Sequence, residues 1–111
     1  MTNYKAGHDA EKDAAEYLKK QGFKIKELNW KTRYCEIDIV AEKRKVIWFV
    51  EVKSRRSSLQ GFGYEYVTSK KLQQMQFAAE MWVREQEWNG GYQLGVVSID
   101  SGEVTFIEDI A

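Results

Sequence analysis

Residues 35–55 read CEIDIVAEKRKVIWFVEVKSR. In the second half, which starts at Val46, six of the first seven residues are apolar, the pattern of a strand entering a core. That strand ends on a carboxylate, Glu51, and an ammonium, Lys53. They stand two residues apart and so on one face. The first half, 35–42, alternates apolar and polar positions, and KRK at 43–45 makes a turn between two strands. Strict alternation puts Cys35, Ile37, Ile39 and Ala41 on one face and Glu36, Asp38, Val40 and Glu42 on the other. In the second strand Ile47, Phe49, Glu51 and Lys53 share a face, opposite Val46, Trp48, Val50 and Val52. Asp38, Glu51 and Lys53 therefore sit at the end of a buried face. An ion there is costly unless it is paired or bound to metal.

Outward from this hairpin the chain is legible as one unit. Residues 8–21 carry Ala10, Ala14, Ala15, Tyr17 and Leu18 at helical spacing, and Gly22 stops the helix. Residues 23–30 alternate as a half-buried strand. Residues 55–67, with Ser57, Ser58, Gly61 and Gly63, read as a loop. A helix is expected at 68–88, with Leu72, Met75, Ala79, Trp82 and Val83 on one face, Thr68 or Ser69 as cap, and NGG at 89–91 as stop. Two more strands, 92–99 and 103–109, flank a turn at 100–102. The predicted order is α-β-β-β-α-β-β, a mixed α/β domain spanning 1–111 with a five-stranded sheet.

The composition narrows the chemistry. An apolar share of 43% suits a globular core, and no apolar run is long enough to span a membrane. The first residues lack the apolar segment of a signal peptide, and one cysteine cannot pair within the chain. The expected location is the cytoplasm. One Cys and one His are too few for a structural zinc site, so any metal chemistry must rest on carboxylates and a hard cation, Mg²⁺ or Mn²⁺. Net charge is zero, with 17 basic and 17 acidic residues. The basic ones nevertheless gather at Lys43, Arg44, Lys45, Lys53, Arg55 and Arg56, with Lys70 and Lys71 soon after.

The first helix carries a further carboxylate. Glu11 falls between Ala14, Ala15 and Leu18 on the helical wheel, at the edge of the apolar stripe. Glu11, Asp38 and Glu51 aimed into one cleft would repel one another, and a divalent cation relieves that repulsion. Such a cation stabilises charge on a phosphoryl group and acidifies bound water. Lys53 beside it is suited to orient that water or to neutralise the transition state. Against this, a Glu-x-Lys pair at a strand end is commonly a surface ion pair worth little.

Asp38 followed by EVK on the next strand resembles the PD-(D/E)xK signature of restriction-endonuclease-like nucleases. More closely, residues 35–55 resemble the GEIDLIA…FVEVK-x-R block of the YraN family of small bacterial proteins, related to archaeal Holliday-junction resolvases. AEKDAAEYLKKQGFKIKELNWKTR at 10–33, FG at 62–63, the lysine at 70 or 71 and VVSI at 96–99 follow the same order. The resemblance implies a restriction-endonuclease-like mixed sheet flanked by helices. It implies Glu11, Asp38, Glu51 and Lys53 as the catalytic set, the three carboxylates as ligands of Mg²⁺ or Mn²⁺, and Arg55 as a phosphate contact. The expected activity is metal-dependent hydrolysis of structured or branched DNA, and Arg56, Lys43, Arg44, Lys70 and Lys71 complete the expected nucleic-acid contacts. A junction presents two symmetric cleavage points, which points to a homodimer. Ala10, Cys35 and Gly95 depart from the family pattern. Two other readings stay open: a nucleic-acid-binding module of this fold with little or no cleavage, and an interaction factor whose charges form a plain ion-pair network.

Overall fold

A computed structural model describes residues 3–55, 67–108 and 110, with the side chains of 3–9 and 55 left aside. The expected loop and Arg56 lie outside the described residues, as does the Arg55 side chain. The elements are α1 (Asn3–Lys20), β1 (Lys24–Lys31), β2 (Glu36–Lys43), β3 (Val46–Arg55), α2 (Ser69–Glu85), β4 (Gly91–Asp100) and β5 (Glu103–Glu108). This is the predicted order. The strands form one sheet, ordered β1-β2-β3-β4-β5. β3 and β4 run parallel, with α2 in the connection between them, and every other neighbouring pair is antiparallel. Among the described residues no helix is long and apolar enough to cross a membrane.

Each helix covers one face of the sheet. Ala14, Ala15 and Leu18 of α1 pack with Ile39, Ala41, Val50, Val97 and Ile99. Met75, Ala78, Ala79 and Trp82 of α2 pack with Val40, Ile47, Phe49 and Leu94. Alternation along β2 and β3 supplies both sides, which is why their central residues are apolar without interruption.

Local chemistry sets the ends of the helices. α1 closes with Gly22 at φ 95°, the left-handed region that favours glycine. Phe23 N–H donates to Leu18 O and Gly22 N–H to Lys19 O, each at 3.0 Å, while the Phe23 and Leu18 side chains join the same cluster. α2 starts on Thr68, whose hydroxyl accepts the Lys71 N–H at 3.1 Å. It ends three residues before the predicted limit. Glu87 takes φ 51°, and Trp88 N–H turns back to Val83 O at 2.9 Å, bringing its ring edge-on to Trp82.

Two further details differ from strict alternation. Cys35 and Ile37 pack on the α2 side, with Val40, whereas Ile39 packs on the α1 side. The expected grouping of Cys35, Ile37, Ile39 and Ala41 on one face therefore breaks at Asp38. In addition, Lys43 pairs with Val46, so the turn has only two central residues, Arg44 and Lys45, at φ 53° and 67°.

Candidate active site

The break in β2 creates the site. β2 and β3 pair from Lys43↔Val46 as far as Ile39↔Val50. Continuing that register would put Asp38 opposite Glu51. Instead the Asp38 Oδ2 accepts the Val52 N–H at 2.8 Å, so a side-chain carboxylate serves as the acceptor for a strand N–H. The strands separate around this carboxyl, and Asp38 becomes accessible to charges from both faces.

Glu51 is only 7% exposed. An uncompensated carboxylate there would be expensive. Lys53 Nζ stands 3.2 Å from its Oε2 and Lys71 Nζ 3.7 Å from its Oε1. Lys71 was expected at a nucleic-acid surface, but its side chain turns inward and is half-buried beside Glu51. A helical wheel misses this, because a long lysine stem lets the head leave the direction of its own Cβ. One sign was visible: Lys70 and Lys71 occupy the first turn of α2, which has no acid there, against the preference of the helix dipole. Lys70 is exposed nearby.

Asp38 carries the electrostatic signature of the cluster. Its carboxyl is pushed up to about 7, first by burial and then by the Glu51 charge; the Val52 N–H opposes the rise, and Glu11 adds to it. Glu11 thus reaches the site from α1. It is half-buried, and its buried Oε2 finds no hydrogen-bond partner among the described residues. Cys35 is also at the site. Its thiol is pushed up by burial, with Lys71 opposing and Glu51 and Asp38 adding, so it stays protonated and is no ready nucleophile.

The donor chemistry suits a hard cation: oxygen ligands, mutual repulsion at Asp38, and an oxygen on Glu11 with no partner among the described residues. The arrangement is not a cage. Among the described residues no group of three or more His, Cys, Asp or Glu side chains is placed to hold a metal ion. The residues present would therefore fit a cation held by the Asp38–Glu51 pair and completed by water. Mg²⁺ characteristically keeps several waters and takes one or two carboxylates.

The remaining expected contacts separate into two places. Lys70 is exposed in the first turn of α2, next to Lys71. Lys43 and Arg44 lie at the opposite end of β3, where Lys43 Nζ donates to Gln21 O at 2.6 Å and Arg44 is exposed.

The sequence model described as "Uncharacterised protein family UPF0102" matches residues 10–100, which include Glu11, Asp38, Glu51, Lys53, the second half of α1 and all of α2. The chain belongs to this family. The UPF0102 protein of Cytophaga hutchinsonii is 36% identical over 104 residues, covering 94% of this chain and 92% of that one. The UPF0102 protein of Syntrophomonas wolfei subsp. wolfei is 45% identical over 82 residues, covering 74% and 71%. That of Campylobacter fetus subsp. fetus is 32% identical over 111 residues, covering 100% and 97%. UPF0102 is the family that the resemblance at 35–55 named as YraN.

Proposed function

We propose that this UPF0102 protein is a metal-dependent endonuclease of the restriction-endonuclease-like fold, acting on structured or branched DNA. The observation that carries the reading is the Asp38–Glu51 pair at the split between β2 and β3, with Asp38 pushed up to about 7 and Lys53 3.2 Å from Glu51. A plain structural ion pair gives little reason to bury a second carboxylate against the first.

Asp38 and Glu51 would hold Mg²⁺ or Mn²⁺. When bound, the cation supplies positive charge for the phosphoryl oxygens and makes a bound water more acidic. Its charge would offset the Glu51 repulsion that raises Asp38, so that both carboxylates could stay ionised. Val52 N–H holds Asp38 Oδ2 in place. Lys53, released in part from Glu51, offers its ammonium to the charge that develops on phosphate. Lys71 keeps the buried Glu51 neutralised from the helix side. The same reading includes a cytoplasmic protein that acts as a homodimer on a two-fold symmetric junction.

A second reading is a nucleic-acid-binding module that does not cleave. The observation favouring it is that Glu51 already has two lysines, with no three-carboxylate group placed for metal among the described residues. A cleavage panel separates the two: four-way junction, flap, single strand and duplex, each with Mg²⁺, with Mn²⁺ and with EDTA. The nuclease reading expects metal-dependent nicking of a branched substrate. Binding without cleavage in all conditions selects the module.

A further inference from the structure

On the α1 side of the sheet, beside the β2–β3 turn, lies a cleft of about 360 Å³. This falls within the range of roughly 300–1,000 Å³ typical of small-molecule sites. Its walls are aromatic: Tyr17 of α1, Phe23, Trp48 of β3 and Phe106 of β5. Phe23, Trp48 and Phe106 contact one another edge to face, with centroids 5.4–6.3 Å apart, and all four rings except the buried Phe23 are partly open. Phe106 depends on Gly95. A Cβ at that position would stand 2.9 Å from its ring, so the glycine makes room for the wall.

The rim is polar and carries both signs. Lys43 is held there by Gln21 O and by the Phe23 ring, 5.2 Å from its ammonium. Arg44 is exposed beside it, and Glu108 stands on the other side. The turn that presents Arg44 is built at a cost. Two-residue turns with positive φ at both centres favour Asn-Gly, yet this one has Arg44 and Lys45 at 53° and 67°. Cations occupy positions where their backbone is strained.

We propose that this cleft takes a single unstacked nucleobase, with Lys43 and Arg44 on its phosphate. Aromatic walls offer stacking to any base. The Gln21 amide and the Glu108 carboxylate can meet donors and acceptors on the base edge, a carboxylate being suited to an exocyclic amine such as that of cytosine. The inference rests on the nucleic-acid reading above and adds to it a second contact point on the strand. α1 links the two places. Glu11 lies six residues from Tyr17, which is about 9 Å along a helix axis.

The test is binding in EDTA, so that cleavage plays no part. The probes are an oligo-dC octamer, the same octamer with a central abasic site, and free dCMP, followed by quenching of tryptophan fluorescence. The intact octamer is expected to bind about 5- to 150-fold more tightly than the abasic one, the range for one stacked base. Trp48→Leu should erase that difference. Arg44→Asn should weaken the octamer while leaving the melting temperature equal or higher, since asparagine suits the left-handed turn; the loss then cannot be blamed on unfolding. Equal affinity for intact and abasic strands overturns the proposal, as does an unchanged octamer affinity in Arg44→Asn. Tighter binding of dCMP than of the octamer overturns the strand in favour of a free nucleotide. A protein that cuts junctions but ignores the abasic change loses only this inference. One that discriminates the abasic strand but cuts nothing loses only the nuclease reading.

Discussion

The Asp38 carboxylate accepts the Val52 N–H at 2.8 Å, just beyond Ile39↔Val50, the last pair of β2 and β3. One oxygen thus completes the strand ladder, while the rest of the group faces Glu51. This dual role predicts that two substitutions differ. Asp38→Asn keeps an acceptor and removes a like charge, so at pH 8 it should be as stable as the parent or more so. Asp38→Ala leaves a strand N–H without its acceptor and should cost about 1–3 kcal/mol. Urea denaturation of the three proteins at pH 8 checks the ranking.

The raised Asp38 carboxyl predicts a pH dependence of definite sign. Its ordinary value is near 3.8 and its folded value about 7. Between these the folded protein holds a proton that the unfolded chain has released. Stability from this group is complete below pH 4, falls as pH rises, and is gone above 7. The slope is at most about 1.4 kcal/mol per pH unit. Melts at pH 5, 6 and 8 should show the decline, and Asp38→Asn should flatten it. Stability that rises across this window in the parent but not in Asp38→Asn would reverse the assignment.

The two lysines around Glu51 should be non-additive. Each is partly exposed, so Lys53→Ala or Lys71→Ala alone should cost no more than about 1 kcal/mol. Removing both takes from the buried carboxylate the two cations it has among the described residues, and the double variant should lose more than the sum of the single losses. A double-mutant cycle by chemical denaturation measures the excess. Simple additivity would mean that Glu51 is solvated well enough without them.

The end of α1 gives a prediction about the scaffold. Gly22 sits at φ 95°, and its closure brings Phe23 back onto Leu18. Gly22→Ala should destabilise the fold by about 1–2 kcal/mol, the penalty of a side chain in the left-handed region. Thermal melts read this directly, and an unchanged melting temperature would show that the turn relaxes freely.

These relationships mark where sequence reading stops. Periodicity was enough for the order of elements, because the buried positions of β2, β3 and β4 are apolar apart from Glu51 and Ser98 and the helices repeat at Ala14, Leu18, Met75 and Trp82. It was also enough to pick Glu11, Asp38 and Glu51 as misplaced charges. It failed at Cys35 and Ile37, because alternation assumes an unbroken ladder and Asp38 interrupts it. It set the end of α2 too late, because a glutamate at a left-handed position gives no local signal; the back-folding of Trp88 onto Trp82 is tertiary. Lys71 was assigned outward for a similar reason, since only packing shows which way a flexible stem bends. The aromatic cleft gathers residues from α1, β3 and β5 and exists only once these have docked.

The central claim is that the Asp38–Glu51–Lys53 cluster performs phosphodiester hydrolysis. The most direct measurement compares nicking of a four-way DNA junction in Mn²⁺ by the parent, Glu51→Gln and Lys53→Ala, purified side by side. The account predicts that the parent cuts, that both variants lose at least about 100-fold in rate, and that both still bind the junction. Cutting at the parent's rate by either variant, or no cutting by the parent, would contradict it.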